Sequence, residues 1–155
     1  MKALIIGAAG MIGRKFFQRL ARDGRLAGRP IEEAYLADIV TPEPIEAPFP
    51  VIREAYDIAA PYVPPKLAAR RPDLIFLLAS VVSGEAEADF DKGYGINLGG
   101  THAVFEAIRR EHILSGGTYR PRLVFTSSIA VFGAPGRTQI VGNLRPIPSK
   151  NPRLE

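Results

Sequence analysis

Three glycines and one aspartate near the start of the chain carry the chemistry that its residue types spell out most directly. Gly7, Gly10 and Gly13 recur three apart, with Met11 and Ile12 between the last two. Glycines so spaced let a backbone turn tightly, approach a ligand closely and enter a helix packed near its neighbours. Such a backbone can hold an anion, because a helix N-terminus offers unpaired N–H groups and partial positive charge to phosphate oxygens. Asp38 stands 25 positions after Gly13, and an acid there can accept hydrogen bonds from both hydroxyls of a ribose. Glycines for a pyrophosphate and an acid for a ribose together describe a dinucleotide site; apart, they are a turn and a strand end. A carboxylate at this place repels a 2′-phosphate, and Ile39 and Val40 supply no base to hold one. NAD is therefore expected over NADP, with Arg14 the one residue that argues the other way.

The elements that must position these residues can be read in order. Ala3 to Ile6 is an unbroken apolar run, as in a strand buried on both faces. Ile12, Phe16 and Leu20 repeat every four residues as the inner face of a helix, and Gly24 sits where it would end. Residues 33–37 predict a second strand with Asp38 at its C-terminal end. Four prolines between Thr41 and Pro50 forbid helix or interior strand, so that stretch is a loop. Residues 51–53 predict a short third strand. Asp57 and Ile58 follow it, and Asp57 suits either an adenine edge or a helix N-cap. Residues 73–80 form an interior strand that takes in Leu78 and ends in Ala79 and Ser80, small enough to admit a ribose, although core packing alone also explains them. A long helical segment is expected from Ala86 to Ile113, weakened by Gly93, Gly95, Gly99 and Gly100. Asn97 lies inside it, either facing solvent or pinned against neighbouring strands to hold a kink. Residues 121–126 predict a fifth strand, ending in Ser127 and Ser128. Strands alternating with helices and linkers define the class: α/β, a Rossmann-type doubly wound parallel sheet. Ligands of such sheets bind beyond the strand C-termini, the address shared by Gly7, Asp38, Ser80 and Ser128.

Composition narrows the rest. The chain has no cysteine and two histidines, His102 and His112, which leaves little from which to build a thiolate or zinc site. No apolar run reaches the length of a membrane span and no signal-peptide layout opens the chain, so a cytoplasmic protein is expected. The net charge of +4 is uneven: residues 134–155 hold four basic groups against one acid, leaving only +1 for residues 1–133. The main body thus shows no basic stripe for nucleic acid, and neither nucleic acid nor membrane is an expected partner.

The pieces Gly7-Ala-Ala-Gly10-Met-Ile-Gly13, Asp38, Asp57-Ile58, Leu77-Leu78-Ala79-Ser80, Asn97-Leu-Gly-Gly-Thr101 and Ser127-Ser128-Ile-Ala-Val-Phe132-Gly133 occur in one order over residues 1–133. In this the chain resembles the extended short-chain dehydrogenases/reductases, the NAD-dependent epimerase/dehydratase family, and above all their sugar-acid dehydrogenases. The resemblance implies NAD on the glycine loop, an adenine contact at Asp57-Ile58, a structural asparagine at Asn97 and an active-site hydroxyl at Ser128. It also implies oxidation of the C2 hydroxyl of a small sugar acid, and admits a homodimer. The family takes its proton-transfer residues from a Tyr-x-x-x-Lys helix. Here that spacing occurs at Tyr62 and Lys66, where Pro64 and Pro65 are expected to prevent the helical register. Residues 134–155 hold no tyrosine and four prolines, and are expected to form an irregular tail after a cofactor domain of residues 1–133, with no substrate-binding region. Three readings remain open: a cofactor-binding part of a sugar-acid dehydrogenase, the same part of a nucleotide-sugar epimerase or dehydratase, and a non-catalytic NAD-binding regulatory protein.

Overall fold

The first strand, β1 (Lys2–Ile6), lies in the middle of a five-stranded parallel sheet in a computed structural model, which describes residues 1–127. Its alternation explains how both sides of the sheet are filled. Ala3 and Ile5 point to one face, where they pack with Phe17, Leu20 and Ala21 of helix α1 (Met11–Asp23). Leu4 and Ile6 point to the other, against Val63, Leu67 and Val104. A tight hairpin of β2 (Arg25–Leu26) and β3 (Arg29–Pro30) follows α1, turning through Ala27 and Gly28, both at positive φ. Positive φ at both central residues suits the twist of a two-residue hairpin. Next come β4 (Glu33–Asp38), β5 (Val51–Ala55), helix α2 (Val63–Ala68) and β6 (Leu74–Leu77). Helices α3 (Ser83–Ala88) and α4 (Phe90–Gly93), a π-helical stretch (Tyr94–Gly100), α5 (Thr101–Leu114) and β7 (Arg122–Phe125) complete the described fold.

The sheet order is β5-β4-β1-β6-β7. Successive strands are laid outward from β1 to one edge, and the chain then crosses back to β6 on the other side. This reversal is the mark of a doubly wound Rossmann-type sheet and opens a crevice beyond the C-terminal ends of β1 and β6.

Three expectations are corrected. Helix α1 buries Gly13, Phe17, Leu20 and Ala21, not a face starting at Ile12, which is 57 % exposed. The glycine loop decides the register: Gly13 must touch the turn, so Ile12 rotates outward while Phe16 stays half-buried beside Phe76. The segment expected as one helix from Ala86 begins earlier, at Ser83, and is broken at Asp89, whose side chain caps α4 through the Lys92 amide. Finally, Pro64 and Pro65 do not prevent a helix after Tyr62. They occupy the first turn of α2, where their missing N–H groups would have no partner in any case. The Lys66 amide bonds the Tyr62 carbonyl, so the two residues do stand one helical turn apart.

Candidate functional site

The crevice has a volume of about 720 Å3, within the range of about 300–1,000 Å3 usual for small-molecule sites. Every strand C-terminus from β5 to β6 contributes. β1 delivers Ile6 and Gly7, and the loop continues through Ala9 and Gly10; β4 delivers Asp38, with Ile39 and Val40 after it. Tyr56, Asp57, Ile58 and Ala59 follow β5, while Leu78, Ala79, Ser80 and Val81 follow β6. The far wall comes from Glu85, Asp91, Lys92, Gly95 and Ile96.

The glycine loop is fixed at both ends. The amides of Gly7 and Ala8 donate to the Ala37 carbonyl at 2.8 and 3.2 Å, tying the loop to β4. Gly7 has φ +93°, and a Cβ there would fall 2.5 Å from the Ala79 amide nitrogen, so the turn passes directly against the chain leaving β6. A Cβ at Gly13 would lie 2.2 Å from the Gly7 carbonyl oxygen, which seats α1 on the turn. Gly10 differs. Its φ and ψ of −66° and 163° are open to any residue, and an added Cβ would meet only the Gly7 oxygen at 3.4 Å. Its missing side chain leaves room on the crevice side. Helix α1 starts there with no side-chain cap and no acid in its own first turn, which leaves its first amides open to a ligand. This cradle fits the pyrophosphate of a dinucleotide.

Asp38 does more than end a strand. Its Oδ2 accepts the Ala9 amide at 2.8 Å and its Oδ1 accepts the Ile39 amide at 2.7 Å, so one carboxylate clamps the glycine loop to the end of β4. Each carboxylate oxygen has a further lone pair, which leaves capacity for a ribose hydroxyl. Asp57 is not the helix N-cap that was one of its two expected roles, since Tyr62 holds that place before α2; it accepts the Ala59 amide at 2.8 Å as a turn cap and lines the crevice. Ile58 is buried and lies against Gly100, where a Cβ would sit 3.0 Å from its side chain. Asn97 is pinned rather than free: its amide donates to the Val81 carbonyl at 2.9 Å and its oxygen accepts the Val81 amide at 2.8 Å. Both bonds hold the strand exit against the π-helical stretch.

Of the residues expected to form the site, Gly7, Gly10, Asp38, Asp57, Ile58, Leu78, Ala79 and Ser80 share the crevice. Met11 and Ile12 stand exposed in the first turn of α1, Gly13 is buried beneath it, and Asn97, also exposed, is bonded to Val81 of the lining without lining the crevice itself. Ser128 and the boundary at residue 133 lie outside the described residues. Sequence reasoning missed the far wall, where the Glu85 carboxylate beside Lys92 holds the lysine ammonium above its usual range. It also missed Tyr56, whose hydroxyl bonds Glu54 and whose ring has Lys66 Nζ 4.8 Å from its centroid. Tyr62 is two-thirds exposed and does not line the crevice, so Lys66 serves Tyr56 instead.

Sheet order, glycine loop and acid at β4 define a dinucleotide-type fold, and the comparisons agree. The model of the NAD dependent epimerase/dehydratase family matches residues 3–152, and the chain belongs to that family. Among its relatives is a D-erythronate dehydrogenase of Cupriavidus necator, 36 % identical over 138 residues, which cover 86 % of this chain and 40 % of the relative. A solved nucleoside-diphosphate-sugar epimerase from Agrobacterium tumefaciens is 56 % identical with a TM-score of 0.82, covering 87 % of this chain and 39 % of that one. Uronate dehydrogenase from the same organism, solved as a mutant complexed with NAD, is 27 % identical with a TM-score of 0.61; the match covers 82 % of this chain and 40 % of the other. The chain thus spans about 40 % of the length of the curated relatives it matches.

Proposed function

We propose that this chain is the cofactor-binding part of an NAD-dependent oxidoreductase that oxidises the C2 hydroxyl of a sugar acid such as D-erythronate. The observation that carries the reading is the Asp38 carboxylate, fastened to the Ala9 amide in the wall of a crevice that begins at an uncapped helix N-terminus. Bound NAD would supply a hydride acceptor. The chain's residues would do the rest: the first-turn amides of α1 bind pyrophosphate, Asp38 orients the ribose, and Ala79 and Ser80 leave room beside it. By resemblance, Ser128 would orient the substrate hydroxyl. The match to D-erythronate dehydrogenases supports the substrate class. Calorimetric titration with NAD and NADP is the test, with measurable NAD binding and weaker NADP binding expected. Equal or tighter NADP binding would sink the cofactor assignment.

The likeness to a nucleoside-diphosphate-sugar epimerase favours a second reading, in which the same cofactor site serves a nucleotide-sugar substrate. The two differ in redox balance. A dehydrogenase releases NADH with each turnover, whereas an epimerase returns the hydride to its substrate and accumulates none. Following NADH with the complete coding sequence, given a sugar acid or a nucleotide sugar, separates them.

A further inference from the structure

Beside the crevice lies a second, smaller cavity of about 250 Å3, whose lining includes Ala9, Arg14, Val40, Thr41 and Glu43. Ala9 and Val40 line both spaces, so the two adjoin, and the Asp38 carboxylate that bonds the Ala9 amide stands at their border. Should a ribose be held at Asp38, this cavity is the neighbouring room for any group carried on its 2′ oxygen. Its volume is several times the ~30 Å3 that a water occupies in the liquid, which is space enough for a phosphate. Among the described residues Arg14 is the one cation in its lining, and it is already taken: Nη2 lies 2.7 Å from the Glu43 carboxylate. Glu43 itself stands on a fastened part of the proline-rich loop, because the carbonyl of buried Pro42 accepts a 2.9 Å bond from Arg53 Nη1.

We infer that Glu43 is a second cofactor-specificity residue, one that closes a latent 2′-phosphate pocket by occupying Arg14. The inference rests on the dinucleotide reading of the crevice. Asp38 repels a 2′-phosphate from one side of the border, and Glu43 withholds from the other the guanidinium that would bind it in a bidentate manner. Neither carboxylate does the other's work. Asp38 also serves the ribose and the glycine loop, whereas Glu43 touches neither, so its removal acts on the phosphate alone. The Arg14–Glu43 pair is largely exposed and weak, so what removal of the acid adds is a freed guanidinium together with the loss of a carboxylate that would repel the phosphate.

The experiment measures dissociation constants of NAD, NADP, ADP and 2′,5′-ADP for the native chain, Glu43→Gln, Arg14→Ala and the double variant. Glu43→Gln is expected to tighten NADP and 2′,5′-ADP about tenfold, the worth of one added charge-assisted bond. NAD and ADP should stay within about twofold, since neither carries the 2′-phosphate that such a bond would engage. The gain should shrink as salt is added and vanish in Arg14→Ala/Glu43→Gln. A parallel gain for NAD and NADP, a gain that survives loss of Arg14, or NADP binding that stays undetectable in Glu43→Gln would each overturn the inference. Failure of the native chain to bind NAD would overturn the dinucleotide reading beneath it, and only that outcome would.

Discussion

Gly10 and Gly13 are the same residue type three positions apart, and the structure asks opposite things of them. At Gly13 a methyl group would collide with the Gly7 carbonyl, so Gly13→Ala should destabilise the fold by roughly 1–3 kcal/mol, read as a lower denaturant midpoint. At Gly10 the backbone is ordinary and the protein side is open, so Gly10→Val should leave the midpoint nearly unchanged while abolishing NAD binding. Normal NAD binding by that variant would reduce the loop to a structural turn. Asp38→Ala should weaken NAD by the loss of a charge-assisted hydrogen bond, roughly 1.5–3 kcal/mol, and relax the preference over NADP. Because the same carboxylate holds the Ala9 amide, Asp38→Asn, which keeps an acceptor, should lose less. The pattern of types made the glycines and Asp38 legible in the sequence. What could not be read there is that Asp38 bonds the loop as well as facing a ligand, because that depends on β1 and β4 being neighbours.

The edge formed by β4 and β5 is stitched by side chains as well as by backbone. The Tyr35 and Tyr56 hydroxyls both bond Glu54, and the Arg70 guanidinium stacks 3.9 Å from the Tyr35 ring centroid. The Tyr35 hydroxyl, with that of Tyr56, holds the Glu54 carboxyl below its usual range, while burial and then the Glu54 bond push the Tyr35 hydroxyl above its own. The signs follow. The depressed Glu54 stabilises the fold at pH above its ordinary value of 4.5, and that contribution is lost as pH falls through the depressed one. The raised Tyr35 stabilises below 10.0 and loses its contribution as pH climbs past that value. Tyr35→Phe should therefore cost about 1 kcal/mol at neutral pH and flatten the acid limb of a plot of midpoint against pH. An unchanged acid limb would show that Tyr56 alone sets Glu54. None of this cluster was visible in the sequence, since residues 35, 54 and 56 meet through the pairing of β4 with β5 and Arg70 joins them from the turn after α2. Strands fared well because apolar runs such as Ala3–Ile6 and Leu74–Leu77 announce themselves, whereas the register of α1 and the breaks between α3 and α5 were set by contacts: Gly13 with Gly7, Gly93 with Ala86, Asn97 with Val81.

For the molecule as a whole, activity is the sharpest expectation. The only Tyr-x-x-x-Lys spacing in the sequence is Tyr62–Lys66, and neither residue lines the crevice, Lys66 standing over the Tyr56 ring instead. The 155-residue chain should accordingly produce no NADH from NAD and D-erythronate, even while it binds NAD. NADH formation that disappears in Tyr62→Phe would return the catalytic role to that tyrosine. The class of fold was legible because strand, glycine turn and helix follow one another at the start, but the order of the strands was not, since parallel neighbours are fixed by crossovers rather than by local pattern. That order has a consequence during synthesis. β1 is translated before every other described strand and lies in the middle of the described sheet, flanked by β4 and β6. Its residues Ala3 to Ile6 are apolar toward both faces, yet at ~5–20 residues per second the partner on one side follows only after roughly 2–7 seconds and the other after roughly 4–15. During that interval the growing chain carries an apolar segment without its sheet partners. Strand order thus leaves the centre of the sheet open on one side until late, because β1 must wait for Leu74–Leu77.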